Sequence, residues 1–151
     1  ELGVQMGSYS ESDASGIDGS VLGVSVTYTT GAFTLGAVMN SGTNDDAKVP
    51  SLGLGGGNYY AAMDESTIDG LNDAKAQVFS VEYAASDKFT STVALGHFED
   101  STKANNIDDI NLILGYGVNA ALNVEFVHTT VDDDGTANDF SRQTARITYS
   151  F

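Results

Sequence analysis

The strongest constraint on the fold of this chain is an alternation of apolar with polar or small side chains at every second residue. In the stretch LGVSVTY at 22–28, Leu22, Val24, Val26 and Tyr28 are separated by glycine, serine and threonine. Such a period predicts β-strands, not helices. Eight segments share it, at about 1–9, 20–30, 32–42, 74–86, 88–98, 109–118, 121–131 and 142–151. The sequence thus predicts an all-β chain of eight strands, each near the ~9–11 residues that a tilted strand needs to cross a bilayer.

The connections between these segments alternate between short and long. Tight turns are predicted around Thr30-Gly31, Ser86-Asp87 and Asn119-Ala120, and the other connections are longer loops. The longest loop runs from about 43 to 73 and contains the stretch GLGGGNYY. Because tight turns join antiparallel strands, we expect an up-and-down sheet with its short turns and both chain ends at one edge. A soluble domain has no obvious reason to sort its connections in this way.

The two faces of the predicted sheet differ in chemistry. One face carries mostly Leu, Val, Ile, Phe and Tyr, and the other carries mostly Gly, Ser, Thr and Asn. A sheet face in contact with bulk water normally shows a mixture of charged residues, so the second face is interpreted as the wall of a lumen. Its few charged residues are Glu82, Glu125 and Arg146, with Arg142 near the loop end.

Aromatic residues of the apolar face flank the predicted short turns. Pairing of neighbouring strands would align them at one height, as in the interfacial aromatic girdle of a membrane protein. The predicted girdle consists of Tyr28, Phe33, Tyr83, Phe89, Tyr116, Tyr149 and Phe151. The aromatic residues of a soluble core would be scattered, so we expect the apolar face to contact membrane hydrocarbon.

The charge of the chain limits its partners. The 21 acidic and 6 basic residues give a formal net charge of -15, which repels nucleic-acid phosphates. Nucleic-acid binding is therefore not expected. The acids are predicted to cluster in loops at 11–13, 44–46, 64–65, 108–109 and 132–134, and the acidic-loop candidates are Asp64, Glu65, Asp132, Asp133 and Asp134. Cysteine is absent, which excludes disulfides and thiolate metal sites.

The stretch TARITYSF at 144–151 continues the alternation up to Phe151. It resembles the final strand of bacterial outer-membrane β-barrel proteins, which closes with a C-terminal aromatic residue that the barrel assembly machinery recognises. The resemblance implies a single transmembrane antiparallel β-barrel domain over 1–151, located in the bacterial outer membrane. It also implies contacts with outer-membrane lipid, with lipopolysaccharide and, through the last strand, with the barrel assembly machinery.

Two barrel sizes fit eight strands. They could close as a small outer-membrane barrel, or form half of a sixteen-stranded general diffusion porin, for which a homotrimer is a further expectation. A barrel of about eight strands is filled by its own side chains, and small residues fill it poorly. The predicted inward positions include Gly at 3, 7, 23, 36, 96, 115 and 117. Together with the segment GVSVTYTTGAFTLGAVMNSG, which resembles Gram-negative porins, they favour the larger, water-filled barrel.

The role of the inward charges stays open at this point. Arg146 and Glu125 are predicted on adjacent strands, and Glu82 faces the same space. In a narrow barrel they would form a buried ion pair, and in a wide pore they would contribute to a transverse field. General diffusion porins narrow the pore with an inward-folded loop that opposes acidic and basic clusters. The loop over 43–73, with Asp64, Glu65 and Asp69, is the candidate for that part.

The remaining motifs do not indicate chemistry. His97 and His128 are interpreted as interfacial polar residues at the loop ends, not as metal ligands. GLGGG at 53–57 lacks the Lys-Ser or Lys-Thr pair of a phosphate-binding loop, and DDDG at 132–135 lacks the spacing of a calcium loop. No Ser-His-Asp arrangement has credible spacing. We expect no enzymatic activity, no cofactor and no specific metal, although acidic loops suit weak divalent bridging to lipopolysaccharide.

The expected function is that of an outer-membrane porin, a water-filled channel for passive diffusion of small hydrophilic solutes. Its acidic loops would raise the local cation concentration and favour cations. One alternative is a closed eight-stranded outer-membrane barrel with a structural or adhesive surface role. Another is a soluble barrel that binds an apolar ligand, which requires the apolar face to point inward.

Overall fold

A computed structural model describes residues 1–10, 18–44, 59–68, 71, 73–101, 106–134 and 139–151, with the backbone alone at 9, 10, 18 and 44. These residues form eight strands and no helix. The strands are β1 Leu2–Ser10, β2 Asp18–Thr30, β3 Phe33–Asn44, β4 Lys75–Ala84, β5 Phe89–Glu99, β6 Asn106–Asn119, β7 Leu122–Asp133 and β8 Phe140–Tyr149. The predicted all-β class is confirmed, with small differences at the strand ends. The described residues contain no apolar helix of the length required to span a bilayer.

Five strands (β2, β3, β6, β7 and β8) extend at least two residues further toward the long loops than predicted, and β6 and β7 do so over acidic residues. β6 begins at Asn106, so Asp108 and Asp109 lie in a strand and not in a loop. β7 includes Asp132 and Asp133. The extensions pair with each other, since Asp108 lies opposite Asp132, and this backbone pairing continues where the alternation of side chains has already ended. The predicted acidic clusters at 11–13 and 45–46 lie outside the described residues.

Short turns join β2 to β3, β4 to β5 and β6 to β7, as predicted. Gly31 has a φ of 56° and occupies the first position of a two-residue turn, which is where a type II′ hairpin requires glycine. The side chain of Ser86 accepts hydrogen bonds from the backbone N–H of Lys88 at 3.3 Å and of Phe89 at 3.1 Å. The side chain of Asn119 likewise accepts from the N–H of Leu122 at 3.0 Å. These local bonds fix the second and third hairpins, and the glycine conformation fixes the first.

The two faces of the sheet follow the predicted alternation. We call the face that carries Leu22, Leu35, Val81 and Leu112 the outer face, and all four side chains are exposed. The opposite, inner face carries the polar and small residues and is covered near the long loops by residues 59–68, 71 and 74, where the buried apolar core lies. An ordinary sheet of a soluble domain would bury its apolar face; here that face is bare.

The sheet is open. Its strand order is β1-β2-β3-β4-β5-β6-β7-β8, and β1 and β8 are its two edges. β1 starts and β8 ends beside the short turns, since Leu2 lies opposite Val26 and Tyr149 opposite Leu122. Both chain ends therefore lie on the short-turn edge, as predicted. β8 ends two residues earlier than predicted, although the N–H of Ser150 still donates to the carbonyl of Ala121 at 2.8 Å.

Candidate functional site

The candidate site is formed by a segment of the longest loop that folds onto the inner face. We call residues Tyr59–Ile68 the cross-face segment. Three apolar residues of the segment, Tyr59, Ala61 and Ile68, are buried. They belong to one apolar cluster with Ala76, Val78, Ala94 and Phe98 of β4 and β5. Ile68 and Phe98 have no exposed surface. Fully burying such side chains contributes about 1.5–3 kcal/mol each, so the segment is held as firmly as a small core.

Small residues of the inner wall make room for the segment. A Cβ atom added at Gly96 would lie 2.7 Å from Cγ of Met63 and 2.8 Å from Cε2 of Phe98. The sequence interpretation assigned the inward glycines to a water-filled lumen. Gly96 instead contacts packed side chains, and Gly23 and Gly36 accommodate the side chains of Asn40 and Ser80 on the next strand. At Gly7, in contrast, an added Cβ would meet nothing within 4 Å.

Buried amides hold the backbone of the segment. Asn40 on β3 is 3% exposed, and its Oδ1 accepts from the N–H of Ala61 at 2.6 Å. Its Nδ2 donates to Oε1 of Gln5 at 3.1 Å, and the same oxygen accepts from the N–H of Tyr60 at 3.3 Å. The hydroxyl of Tyr60 donates to the carbonyl of Val4 at 3.4 Å. These bonds tie the start of the segment to β1 and β3.

A second buried amide holds the middle of the segment. With its amide oriented to satisfy both ends, Asn111 on β6 accepts from the N–H of Asp64 at 3.1 Å and donates to Oγ1 of Thr129 at 2.8 Å. Asp109, two residues earlier on the same strand, is 1% exposed and accepts a hydrogen bond from Ser66. The loop carboxylates are therefore placed by backbone and side-chain bonds to β6.

Two ion pairs join the segment to β8. Arg146 pairs with Asp64, and Arg142 pairs with Glu65. The carboxylates are well covered, at 8% side-chain exposure for Asp64 and 16% for Glu65, while Arg146 and Arg142 remain 43% and 53% exposed. Each pair thus has a largely buried anion and a cation that water still reaches.

The segment contacts both edges of the sheet. Tyr60 and Glu65 bond to β1 and β8 respectively, although eight strands at ~4.8 Å spacing are about 34 Å wide when flat. Five residue steps cover at most about 18 Å. Long side chains at both ends supply the remaining reach, together with the coiling that twisted sheets adopt. The inner face is therefore crossed from one edge to the other.

The predicted inward charges lie where the sequence placed them, but they pair differently. Glu82, Glu125, Arg142 and Arg146 are all on the inner face, and Glu125 lies directly opposite Arg146. The ion pair of Arg146 is nevertheless made with Asp64. Asp69, named with Asp64 and Glu65 as a candidate, lies outside the described residues. Asp132 and Asp134 are exposed near the long loops, and Asp133 closes β7 beside them.

Sequence reasoning missed the residues that position the segment. Asn40 and Asn111 were taken as polar wall residues, because nothing local distinguishes a wall asparagine from one that binds a distant backbone. A signal was present in the loop itself. Tyr59, Ala61, Met63 and Ile68 are apolar residues in the same long loop as Asp64, Glu65 and Asp69, and a fully solvated loop does not need them.

The outer face carries a row of aromatic residues near the short turns. Phe33 lies opposite Tyr83, with ring centroids 4.9 Å apart, and Phe89 lies opposite Tyr116. Tyr149 and Phe151 follow at the end of β8, with centroids 6.4 Å apart. All of them, and Tyr28 on β2, are exposed.

This row crosses the sheet at a slant. Tyr28 lies opposite Leu35, two residues from Phe33; Tyr83 lies opposite Ser91, two residues from Phe89. A third offset of two residues follows between β6 and β8, where the line from Tyr116 reaches Ile147 and not Tyr149. The offset averages about one residue per strand, or ~3.3 Å of rise per ~4.8 Å of width, which is an angle of about 35°. The row is straight, but it is not perpendicular to the strands.

Polar residues end the apolar band on the side of the long loops. Gln77, His97 and Asp108 are paired in one line across β4, β5 and β6, and Nδ1 of His97 lies 2.7 Å from Oδ1 of Asp108. On β7 and β8 the border is formed by His128 and Gln143, which are paired. His128 is four residues nearer the short turns than Asp132, the partner of Asp108. The polar border therefore slants in the same direction as the aromatic row.

The described residues contain no group of three or more histidine, cysteine, aspartate or glutamate side chains arranged to hold a metal ion. In comparisons with protein-family models, curated proteins and solved structures, nothing matches this chain. Its function therefore has to be inferred from the two faces of the sheet and from the cross-face segment.

Proposed function

We propose that the chain forms part of the wall of an outer-membrane porin. Such a porin is a water-filled channel for passive diffusion of small hydrophilic solutes, and this one is proposed to prefer cations. The observation that carries the proposal is the slanted aromatic row. Strands of outer-membrane barrels are tilted by about 35–45°, so residues at one membrane depth are offset along successive strands. An offset of about 35° is what an interfacial girdle on tilted strands requires.

The exposed apolar band supports contact with lipid. Between the aromatic row and the polar border, the outer face presents side chains such as Val24, Val93, Leu95 and Leu112, all of them exposed. Soluble monomers rarely expose contiguous apolar patches larger than about 300–600 Å². An apolar face of eight strands that no other part of the described chain covers is compatible with contact to bilayer hydrocarbon and to the acyl chains of lipopolysaccharide.

The inner face supports an aqueous path. Toward the short turns, beyond the cross-face segment, its side chains are mainly Ser25, Thr27, Thr34, Ser80 and Thr92. The segment covers the other end, near the long loops, and would narrow the channel there. Because an apolar cluster and buried amides hold it, we treat the segment as a fixed constriction and not as a mobile gate.

The open edges favour the larger barrel over a closed one of eight strands. In hydrocarbon, unpaired backbone groups are too costly to expose, so β1 and β8 must pair with something. The two edges do not pair with each other in the structure. We propose that further strands complete the wall, as they would in a barrel of about sixteen.

The test is reconstitution of the native protein into planar lipid bilayers. We expect discrete conductance steps and, under a KCl gradient, a reversal potential of the sign that cation preference dictates. The protein should need detergent for extraction. A protein that folds as a monomer in plain buffer, with Leu112 and Val124 shielded from water, would contradict both the membrane location and the pore.

A further inference from the structure

We propose that Glu82 and Glu125 set the cation preference of this pore, and that Asp64 and Glu65 act on it by neutralising the two arginines of the inner face. The inference rests on the proposed function and assigns its charge selectivity to particular residues. It differs from the expectation of a transverse field between opposed acidic and basic clusters. Here the two clusters are in direct contact and cancel each other.

The basic residues can be accounted for one by one. Lys48 and Lys103 lie outside the described residues, Lys75 is on the outer face, and Lys88 is in the short turn between β4 and β5. Arg142 and Arg146 are therefore the basic side chains of the described inner face. Both are paired with carboxylates of the cross-face segment.

Five acidic residues of the cross-face segment and the inner face fall into two groups. Asp64 and Glu65 are covered and paired, and Asp109 is buried beneath the segment with Ser66 as its donor. Glu82 lies between Thr34 and Thr92 in the register, and Glu125 lies between Gly115 and Arg146. Neither Glu82 nor Glu125 forms an ion pair within the described part of the chain. Glu125 lies opposite Arg146, which already forms its ion pair with Asp64.

Pairing decides which charges a passing ion experiences. Two opposite charges in contact act as a short dipole, whose field falls off faster with distance than that of a single charge. Screening removes most of the remainder beyond about 8 Å at physiological ionic strength. Glu82 and Glu125 form no such ion pair within the described residues and lie among small polar side chains of the inner face. Rings or clusters of such carboxylates favour cations.

The experiment compares four variants of the native protein by reversal potential in a KCl gradient across a planar bilayer. E82Q/E125Q should move the reversal potential toward zero, because the unpaired carboxylates are gone. D64N/E65Q should also move it toward zero, because the two arginines are released. R142Q/R146Q should move it further toward cation preference, because the loop carboxylates are released. In the fourfold variant D64N/E65Q/R142Q/R146Q these last two shifts should cancel.

Loss of cation preference in the fourfold variant would mean that Asp64 and Glu65 attract cations directly, which overturns the inference. An unchanged reversal potential in E82Q/E125Q would overturn it as well. That variant touches no ion pair, so it decides the question even where the fourfold variant fails to insert. Failure of the unaltered protein to conduct would reject the proposed function itself, whereas a conducting protein with the wrong pattern of shifts rejects only this assignment.

Discussion

Arg146 of β8 forms its ion pair with Asp64 of the cross-face segment, although Glu125 lies directly opposite Arg146 in the β7–β8 register. Arg146 thus pairs with a residue far away in the sequence and not with the glutamate on the neighbouring strand. That choice attaches the long loop to the last strand.

The first prediction concerns the two members of this pair. Asp64 is covered and Arg146 is half exposed, so removing the arginine leaves a buried carboxylate without its cation. We expect Arg146→Met to lower the free energy of unfolding by about 1–3 kcal/mol, and Asp64→Asn to lower it by less than about 1 kcal/mol, since water can solvate the released arginine. Urea unfolding in lipid vesicles, followed by circular dichroism, measures both. The Arg142–Glu65 pair is the internal control, and the same order is expected there.

The second prediction tests the two faces. On β5, Val93 is an outer residue midway between Phe89 of the aromatic row and His97 of the polar border, and Thr92 is its inner neighbour. In the proposed membrane location, Val93→Arg should cost about 2–4 kcal/mol near the bilayer midplane, whereas Thr92→Arg should be much milder because its side chain faces water. Folding yield into vesicles and urea midpoints are the measurements. Equal costs at the two positions would contradict the assignment of lipid to the outer face.

The third prediction concerns the seat of the segment. Gly96→Val would place side-chain atoms against Met63 and Phe98, and overpacking of this kind costs about 1–3 kcal/mol. Gly7→Val is a matched control, since a Cβ there meets nothing within 4 Å and surface changes usually stay within about 0.5 kcal/mol. If the segment does narrow the channel, Gly96→Val should also change the single-channel conductance. Equal stability and equal conductance of the two variants would mean that the segment does not pack against Gly96 in the folded protein.

The fourth prediction concerns the buried amide that holds the start of the segment. Asn40→Ala removes the acceptor of the Ala61 N–H and the donor to Gln5, and leaving a buried donor without a partner costs about 1–3 kcal/mol. Hydrogen exchange at Tyr60 and Ala61 should become faster, while exchange in β6 and β7 should not change. Asn123→Ala, on the same face but away from the segment, is the control. Unchanged protection at Ala61 would show that the apolar cluster alone is sufficient to hold the segment.

The fifth prediction concerns the open edges. If further strands complete the wall, backbone amides of β1 and β8 that point away from β2 and β7 should be protected from hydrogen exchange in the membrane-embedded protein. Their protection should approach that of central strands such as β5. Fast exchange at both edges, together with stable insertion, would contradict the proposed larger barrel.

Much of the fold follows from local properties of the sequence. Alternation of side chains defines each strand, because successive residues point to opposite faces, and turn residues such as Gly31 and Asn119 define the hairpins. The ends of β6 and β7 were harder, because polar residues such as Asp108 interrupt the pattern while backbone pairing continues. Whether the sheet closes could not be decided from alternation, which describes faces and not edges.

The candidate site could be predicted only in part. The resemblance to general diffusion porins implied an inward-folded loop over 43–73, and the inner-face positions of Arg142 and Arg146 followed from parity. The particular pairing of Arg142 with Glu65 and of Arg146 with Asp64 depends on where a loop of some thirty residues packs on the sheet. Neither local propensity nor side-chain alternation specifies that position. Asn40 and Asn111 help to fix that position through hydrogen bonds to the backbone N–H groups of Ala61 and Asp64, which are distant in sequence.

The slant of the aromatic row has a consequence for assembly. In the proposed barrel, a strand that joins β8 or β1 would have to enter with the same average offset of about one residue per strand, since a closed barrel links strand tilt to the total shear of its register. A partner shifted by one residue pair would displace its outer side chains by about 6.6 Å along the strand. One of its polar border residues would then sit at the depth of hydrocarbon. The bilayer would thus disfavour an added strand whose backbone hydrogen bonds are intact but whose register is shifted.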